Sequence, residues 1–205
     1  MKPRCAAGIG ILSSITIIAG CVSSNSPTVA SIPGPLRVPA GQTLIRDVQA
    51  TGVQIYECKA SDDNPLLFRW VFKAPEAELR DREGKTFGRH YAGPTWEAHD
   101  GSKVVGEVKA HDNGPDPNAI PWLLLSATST VGSGVLSQTV SIQRLNTSGG
   151  KAPAGGCNDT LVGKQARVPY KAEYLFYSPA VSYTHLDVYK RQGVNRADWT
   201  MPGAT

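Results

Sequence analysis

The stretch Gly88–Ala110, GRHYAGPTWEAHDGSKVVGEVKA, decides the fold. Thr95, Trp96, Glu97 and Ala98 alternate polar and apolar, as a half-buried strand does. Beyond His99-Asp100-Gly101, Val104, Gly106, Val108 and Ala110 share one face, and Lys103, Val105, Glu107 and Lys109 the other. A two-residue Asp-Gly loop would set Trp96 against Val105 and mix the faces. A three-residue loop with Gly101 left-handed sets Trp96 against Val104 and Glu97 against Lys103. The second register keeps the apolar face apolar and pairs opposite charges, worth roughly 0.2–1 kcal/mol per pair. It predicts an antiparallel hairpin and gives Glu97 a structural role before any catalytic one.

The same period continues on both sides. Thr43–Gln49 reads as a strand, Ala50-Thr51-Gly52 as a turn and Val53–Cys58 as a second strand. Phe68, Trp70, Phe72 and Ala74 alternate with Arg69, Val71 and Lys73. Pro75–Leu79 reads as one helical turn with Pro75 at its start. Asp81–Lys85 is a turn, and His111–Asn118 a loop by its Asp, Asn, Gly and Pro content. Ile120–Ala127 is apolar on both faces and predicts a strand buried on both sides, with Pro121 at its beginning or at a bulge. Leu136–Leu145 alternates around Val140 and Ile142. Asn146–Gly156 is a Gly-rich loop closed by Cys157. Val168–Tyr177 places Tyr170, Ala172, Tyr174 and Phe176 on one face. Beyond the opening apolar segment, no stretch sustains a helical period. Many short strands predict an all-β antiparallel sandwich or barrel-like domain.

The ends differ in character. Residues 1–20 read as a secretory signal, with Lys2 and Arg4 ahead of an apolar run from Ala6 to Ile18 that is shorter than the ~20 residues of a spanning helix. Ile18-Ala19-Gly20-Cys21 resembles a bacterial lipobox, in which Cys21 takes the lipid and becomes the mature N-terminus. Ser23, by resemblance to enterobacterial lipoproteins, favours outer-membrane sorting. The expected location is the cell envelope, lipid-anchored, at the periplasmic face of the outer membrane or the cell surface. Residues 21–38 are Ser/Pro-rich and read as a flexible tether, and 39–179 as the β domain. Val181–Gln192, VSYTHLDVYKRQ, resembles translated sequencing adapter. Residues 180–205 are therefore read as foreign, which removes His185 from consideration.

The formal net charge is +4. Between Val22 and Pro179 it falls to 16 Lys and Arg against 15 Asp and Glu. No basic patch survives, so no nucleic-acid partner is expected. With Cys5 in the signal and Cys21 lipidated, Cys58 and Cys157 remain. An even pair in an oxidising compartment reads as a disulfide, and no close C-x-x-C spacing supports two metal-ligating thiols.

Several blocks carry a resemblance. They are Val53-Gln54-Ile55-Tyr56 with Cys58, His90-Tyr91 with Gly93-Pro94-Thr95-Trp96 and Asp100-Gly101-Ser102, and Ile120–Leu124. Ile142–Leu145, Gly149-Gly150 to Gly156-Cys157, and Val168-Pro169-Tyr170 with Ala172 and Tyr174 complete them. In this order they resemble the domain of unknown function 3455 family of secreted bacterial and fungal proteins, from about Pro39 to Tyr177. The resemblance implies no activity.

Chemistry-bearing residues are few. His90, Glu97, Asp100 and His111 are the catalytic candidates, with Asp112 as a further carboxylate. His99 and His111 fall at opposite ends of one strand, which rises ~3.3 Å per residue, so they do not share a metal. His90 with His111 is the better pair. The bland alternative makes His99 an exposed turn residue and lets His90 bond the Gly93-Pro94 turn. Ser102 lies beside Asp100 but on no nucleophile elbow. Gly132-Ser133-Gly134 with Ser137 falls short of a dinucleotide fingerprint, lacking its third glycine and a following helix. Trp70 and Trp122 are expected in the core. Trp96 is open between core and ligand contact, and Tyr91 with Trp96 are the ligand-binding candidates. No metal site and no cofactor are expected. The leading expectation is a structural or ligand-binding β module, with a glycan or small molecule as ligand. The alternative is a hydrolase or metal-dependent enzyme using His90, His111 and a nearby carboxylate.

Overall fold

The computed structural model describes residues 32–180. The lipobox with Cys21, the signal segment, most of the tail and His185 lie outside the described residues. Eight strands follow in chain order: β1 Gln42–Ala60, β2 Phe68–Arg80, β3 Thr86–Tyr91, β4 Thr95–Ala98, β5 Lys103–Asp112, β6 Trp122–Val131, β7 Ser141–Gly149 and β8 Gln165–Pro179. Each pairs antiparallel with the next, and β8 pairs with β1, so the sheet closes into a barrel-like ring.

The hairpin that decides the fold forms in the expected register. Trp96 faces Val104 and Glu97 faces Lys103, and Gly101 takes φ 84° in the loop. Three other expectations are corrected. Residues 50–52 do not turn; β1 runs straight through them for 19 residues. Its inward period is unbroken, because Val48, Ala50, Gln54 and Tyr56 are all buried. Gly52 marks a close crossing instead of a bend: a Cβ there would lie 2.1 Å from the Glu76 carbonyl oxygen on β2. Nor do residues 75–79 form a helical turn. Ala77 and Leu79 are buried while Glu76 and Glu78 are exposed, which is strand period. Glu76 binds Arg167 at 2.8 Å, holding β2 flat across β1 to β8. β7 also begins later than expected, at Ser141, because Gly132–Val140 is spent on a loop.

The interior core joins Val48, Leu79, Trp96, Val104, Leu125, Ile142, Tyr174 and Phe176. Outward positions carry charges that pair across strands, such as Arg89 with Glu97 at 2.9 Å. Apolar inside and charged outside is the reverse of a ring that faces lipid. Among the described residues no helix is long and apolar enough to cross a membrane.

One end of the ring is closed. The loop between β6 and β7 folds Leu136, fully buried, into the interior core. The Asp100 carboxylate accepts from the Val135 and Ser102 N–H groups and from the Ser102 hydroxyl, and the Ser102 oxygen accepts from the Leu136 N–H.

A second apolar cluster lies on the outside. Ile32 and Leu36 pack on Trp122, Leu124, Leu145 and Leu175, so the first part of β6 is covered on both faces as expected, while Thr128–Val131 is exposed. Leu36 ends a short 3-10 turn, Gly34–Leu36. Its carbonyl accepts from Gln143 Nε2 at 2.6 Å. The stretch read as a flexible tether is therefore strapped to the ring over its last part. Trp122 is buried here, outside the ring and away from the interior core.

Candidate functional site

The opposite end of the ring is open on one side, and the pairing explains why. β3 pairs with β2 only over Ala77–Arg80, and β4 pairs with β5 only over Lys103–Val105. The short β3–β4 hairpin thus leaves Phe68–Glu76 of β2 and Glu107–Asp112 of β5 without partners on facing edges. Pro75, which has no N–H to donate, sits on that unpaired edge of β2, where proline is tolerated. The gap leads into a cavity of about 490 Å³, within the range of small-ligand sites. Half-exposed Phe72 and Val108 flank its entrance.

Trp96, Leu123, Leu125 and Ile120 make its apolar wall, and Gln54, His90, Arg144 and Tyr174 are its polar members. His90 stacks on Trp96 with ring centroids 4.4 Å apart and planes 13° from parallel. His90 Nδ1 donates to the Thr95 carbonyl at 2.9 Å, which assigns the proton to Nδ1 in the neutral ring. Burial pushes this imidazole down to about 3, a nearby Arg144 charge adding to the effect against the Thr95 bond. His90 therefore enters the cavity uncharged at neutral pH.

Arg144, on β7, donates through Nε and Nη2 to the Pro121 carbonyl at 3.0 and 2.9 Å. No carboxylate lies within ion-pair distance of it among the described residues, and no Asp or Glu lines the cavity. Lys73 at the rim differs, since it binds Glu57 at 2.7 Å. Gln54 Nε2 and the Tyr174 and Tyr170 hydroxyls are buried without an aligned hydrogen bond. The two phenols lie close enough to each other, Tyr170 to Gln54 and Tyr174 to Arg144, to influence one another's ionisation, yet neither phenol nor Gln54 makes a fully formed hydrogen bond through these atoms. Burial raises both phenols, so they stay protonated.

The other candidate residues lie elsewhere. His111 is exposed on β5 and His99 is exposed at the hairpin tip, so neither His111 nor any carboxylate joins His90. Among the described residues no three His, Cys, Asp or Glu side chains are grouped to hold a metal ion. Glu97 points outward, bound by the Tyr91 hydroxyl, Arg89 and Lys103, which hold its carboxyl below the usual range. Asp100 is occupied in the closed floor, its carboxyl lowered first by Ser102 and then by Val135. Asp112 accepts from the Gly114 N–H in a turn. Tyr91 faces out under Arg89 while Trp96 faces in, so the two do not share one ligand surface. Trp70 is not core either; its Nε1 donates to the Gly155 carbonyl at 2.8 Å.

That bond braces the Gly-rich loop. Cys58 and Cys157 are disulfide-bonded, with Cα atoms 5.4 Å apart. Tyr56, which lines the cavity, donates its hydroxyl to the Gly150 carbonyl at 2.6 Å. Sequence reasoning passed over Arg144, Gln54 and Tyr174 as site residues. Arg144 had one signal, a lone cation at an inward position of a strand otherwise read as core.

Searches of curated proteins and of solved structures find no match. The family model described as a protein of unknown function, DUF3455, matches residues 39–178, which span the whole ring and its cavity. This chain belongs to the DUF3455 family.

Proposed function

We propose that this protein is a lipid-anchored cell-envelope module that binds a small, largely apolar ligand inside its ring. The observation that carries the reading is the cavity of about 490 Å³ opening through the unpaired β2 and β5 edges. Its apolar wall with a few buried polar groups is the usual composition of a ligand pocket. A cavity with a mainly apolar wall suits a small apolar molecule better than a glycan laid on a flat surface. The catalytic alternative lacks support, because His90 has neither His111 nor a carboxylate beside it. The lipid anchor rests on Ile18–Cys21 and on the Ser/Pro-rich stretch that follows.

Titration of the full chain with N-phenyl-1-naphthylamine, a neutral apolar fluorophore, tests the binding reading. Saturable binding at one site is expected, and Val108→Trp, which narrows the entrance, should weaken it about tenfold or more. Absence of saturable binding ends the reading. Anchoring is tested separately: wild-type protein should partition into detergent and Cys21→Ala should not. An alanine variant that is processed and membrane-bound like wild type rejects the anchor.

A further inference from the structure

We infer that the ligand is a monocarboxylate with an apolar body, its carboxylate held by Arg144 beside Tyr174 and Gln54. This rests on the cavity being a binding site and adds the chemical class.

Three observations point the same way. Arg144 is a guanidinium at the cavity wall with no counter-charge, although Lys73 at the rim and the outward-facing Arg89 and Arg167 each have a carboxylate. Two of its N–H groups are spent on the Pro121 carbonyl. A guanidinium carries five donors, so three remain. Beside it, Tyr174 is 1% exposed and Gln54 is 2% exposed. The Tyr174 hydroxyl, which lies close to Tyr170 and Arg144, and Gln54 Nε2, beside Tyr170, make no fully formed hydrogen bond, and a buried polar atom left so is costly. Both can donate a hydrogen bond, and Gln54 Nε2 can only donate.

A site with spare donors and one positive charge complements a group that only accepts and carries one negative charge. A carboxylate has that character and matches the guanidinium fork. A phosphate dianion would leave one negative charge unanswered, because His90 is neutral and Lys73 is committed to Glu57. The remaining wall, with Trp96, Leu123, Leu125, Phe72 and Val108, requires an apolar body on the acid.

Arg144 also has a plain structural use, as the clamp on Pro121 that holds the Ile120–Pro121 segment. The test therefore compares ligands before it compares variants. Full-length protein loaded with N-phenyl-1-naphthylamine is titrated with 2-naphthoate and with its uncharged analogue 2-naphthamide. The acid should displace the probe at about tenfold lower concentration or better, as a charge-assisted bond implies. Arg144→Gln should remove that preference, so that the acid and the amide displace the probe at similar concentrations. Arg144→Lys should keep part of it, because the charge survives and the fork does not.

Equal displacement by acid and amide in wild-type protein overturns the carboxylate inference and leaves the cavity reading intact. So does an acid preference that persists in a folded Arg144→Gln. Failure of the fluorophore, the acid and the amide all to bind overturns both. The wild-type comparison decides even if no Arg144 variant folds.

Discussion

The Asp100 carboxylate accepts from the Val135 backbone N–H at 2.8 Å, tying the tip of the β4–β5 hairpin to the loop that closes the ring. The two residues are 35 apart in sequence. The same carboxylate takes the Ser102 N–H and hydroxyl, so one side chain orders both partners of the floor. Asp100→Ala should release Leu136 and leave three donors unanswered. The expected loss is about 1–3 kcal/mol in urea denaturation, the range for unmaking such bonds. Gly134→Ala should do comparable damage, because its Cβ would fall 2.2 Å from the Asp100 carboxyl carbon. If both variants unfold at the wild-type urea concentration, the loop closes the floor without Asp100.

The disulfide closes a loop with a sequence separation of 99. On the chain-entropy model such a crosslink contributes up to ~4.7 kcal/mol, and removing native ones usually costs about 2–5 kcal/mol. Cys58→Ala and Cys157→Ala should each destabilise by that amount, and the double variant by no more than either, since all three lose one bond. A reduced protein as stable as the oxidised one would show that the Trp70–Gly155 bond and the strand pairing suffice.

Leu36 predicts a cost outside the ring. Its side chain is fully buried against Trp122, Leu124 and Leu175, and its carbonyl satisfies a buried amide of Gln143. Leu36→Ala should destabilise by about 2–4 kcal/mol, within the range for large-to-small changes in a core. Thermal and urea unfolding measure it. A variant indistinguishable from wild type in both would return this stretch to the status of a loose tether.

The strand period was legible in this chain where it met no glycine or proline. The β4–β5 register follows from Trp96, Glu97 and Gly101 alone, and the inward face of β8 from Tyr170 to Phe176. Gly52 and Pro75 misled for the same reason. Both are read as local breakers, yet here each is explained by a distant strand: Gly52 lets β2 cross closely, and Pro75 sits where β2 has no neighbour on its β3 side. The Leu36 strap was not legible, because a Ser/Pro-rich stretch with one leucine shows nothing of the apolar patch it covers. The cavity was illegible too. It arises from the shortness of β3 and β4 relative to β2 and β5, which only the pairing reveals. His90 drew attention as a titratable residue, whereas Arg144, two residues after Ile142, looked like an ordinary charge.

Glu173 gives a prediction in pH. It is 4% exposed on the outer face of β8 and binds Asn146 Nδ2 at 2.6 Å. Burial, reinforced by the nearby Asp47, raises its carboxyl above the usual range, against the pull of Asn146 and Arg82. A carboxyl raised in the folded state binds its proton more tightly there than in the unfolded chain. Its effect is therefore a stability that declines as pH rises from the ordinary carboxyl range through the raised value. Glu173→Gln keeps an acceptor for Asn146 and removes the titration. The variant should be at least as stable as wild type at pH 7 and lose less stability between pH 5 and pH 7. A variant less stable than wild type at pH 7 would show that the Asp47–Arg82 pair needs the Glu173 charge.

His90 gives the opposite sign. Its imidazole is depressed to about 3 in the folded protein, against about 6.5 in an unfolded chain. Below pH 6.5 the unfolded chain takes a proton that the folded ring refuses, so stability is full above 6.5 and is lost as pH falls toward 3. One such group contributes a slope of about 1.4 kcal/mol per pH unit. Between pH 7 and pH 5 this amounts to about 2 kcal/mol, before carboxylates lowered by their partners begin to titrate. His90→Gln retains a donor for the Thr95 carbonyl and does not titrate, although it forfeits the stacked contact with Trp96. The variant should be less stable than wild type at pH 7, and the gap should close by that same amount at pH 5. Reading the change in the gap, rather than either stability alone, cancels Glu173, which titrates alike in both proteins. A gap that stays constant over this range would mean that His90 takes its proton inside the folded ring, and would place a second positive charge beside Arg144.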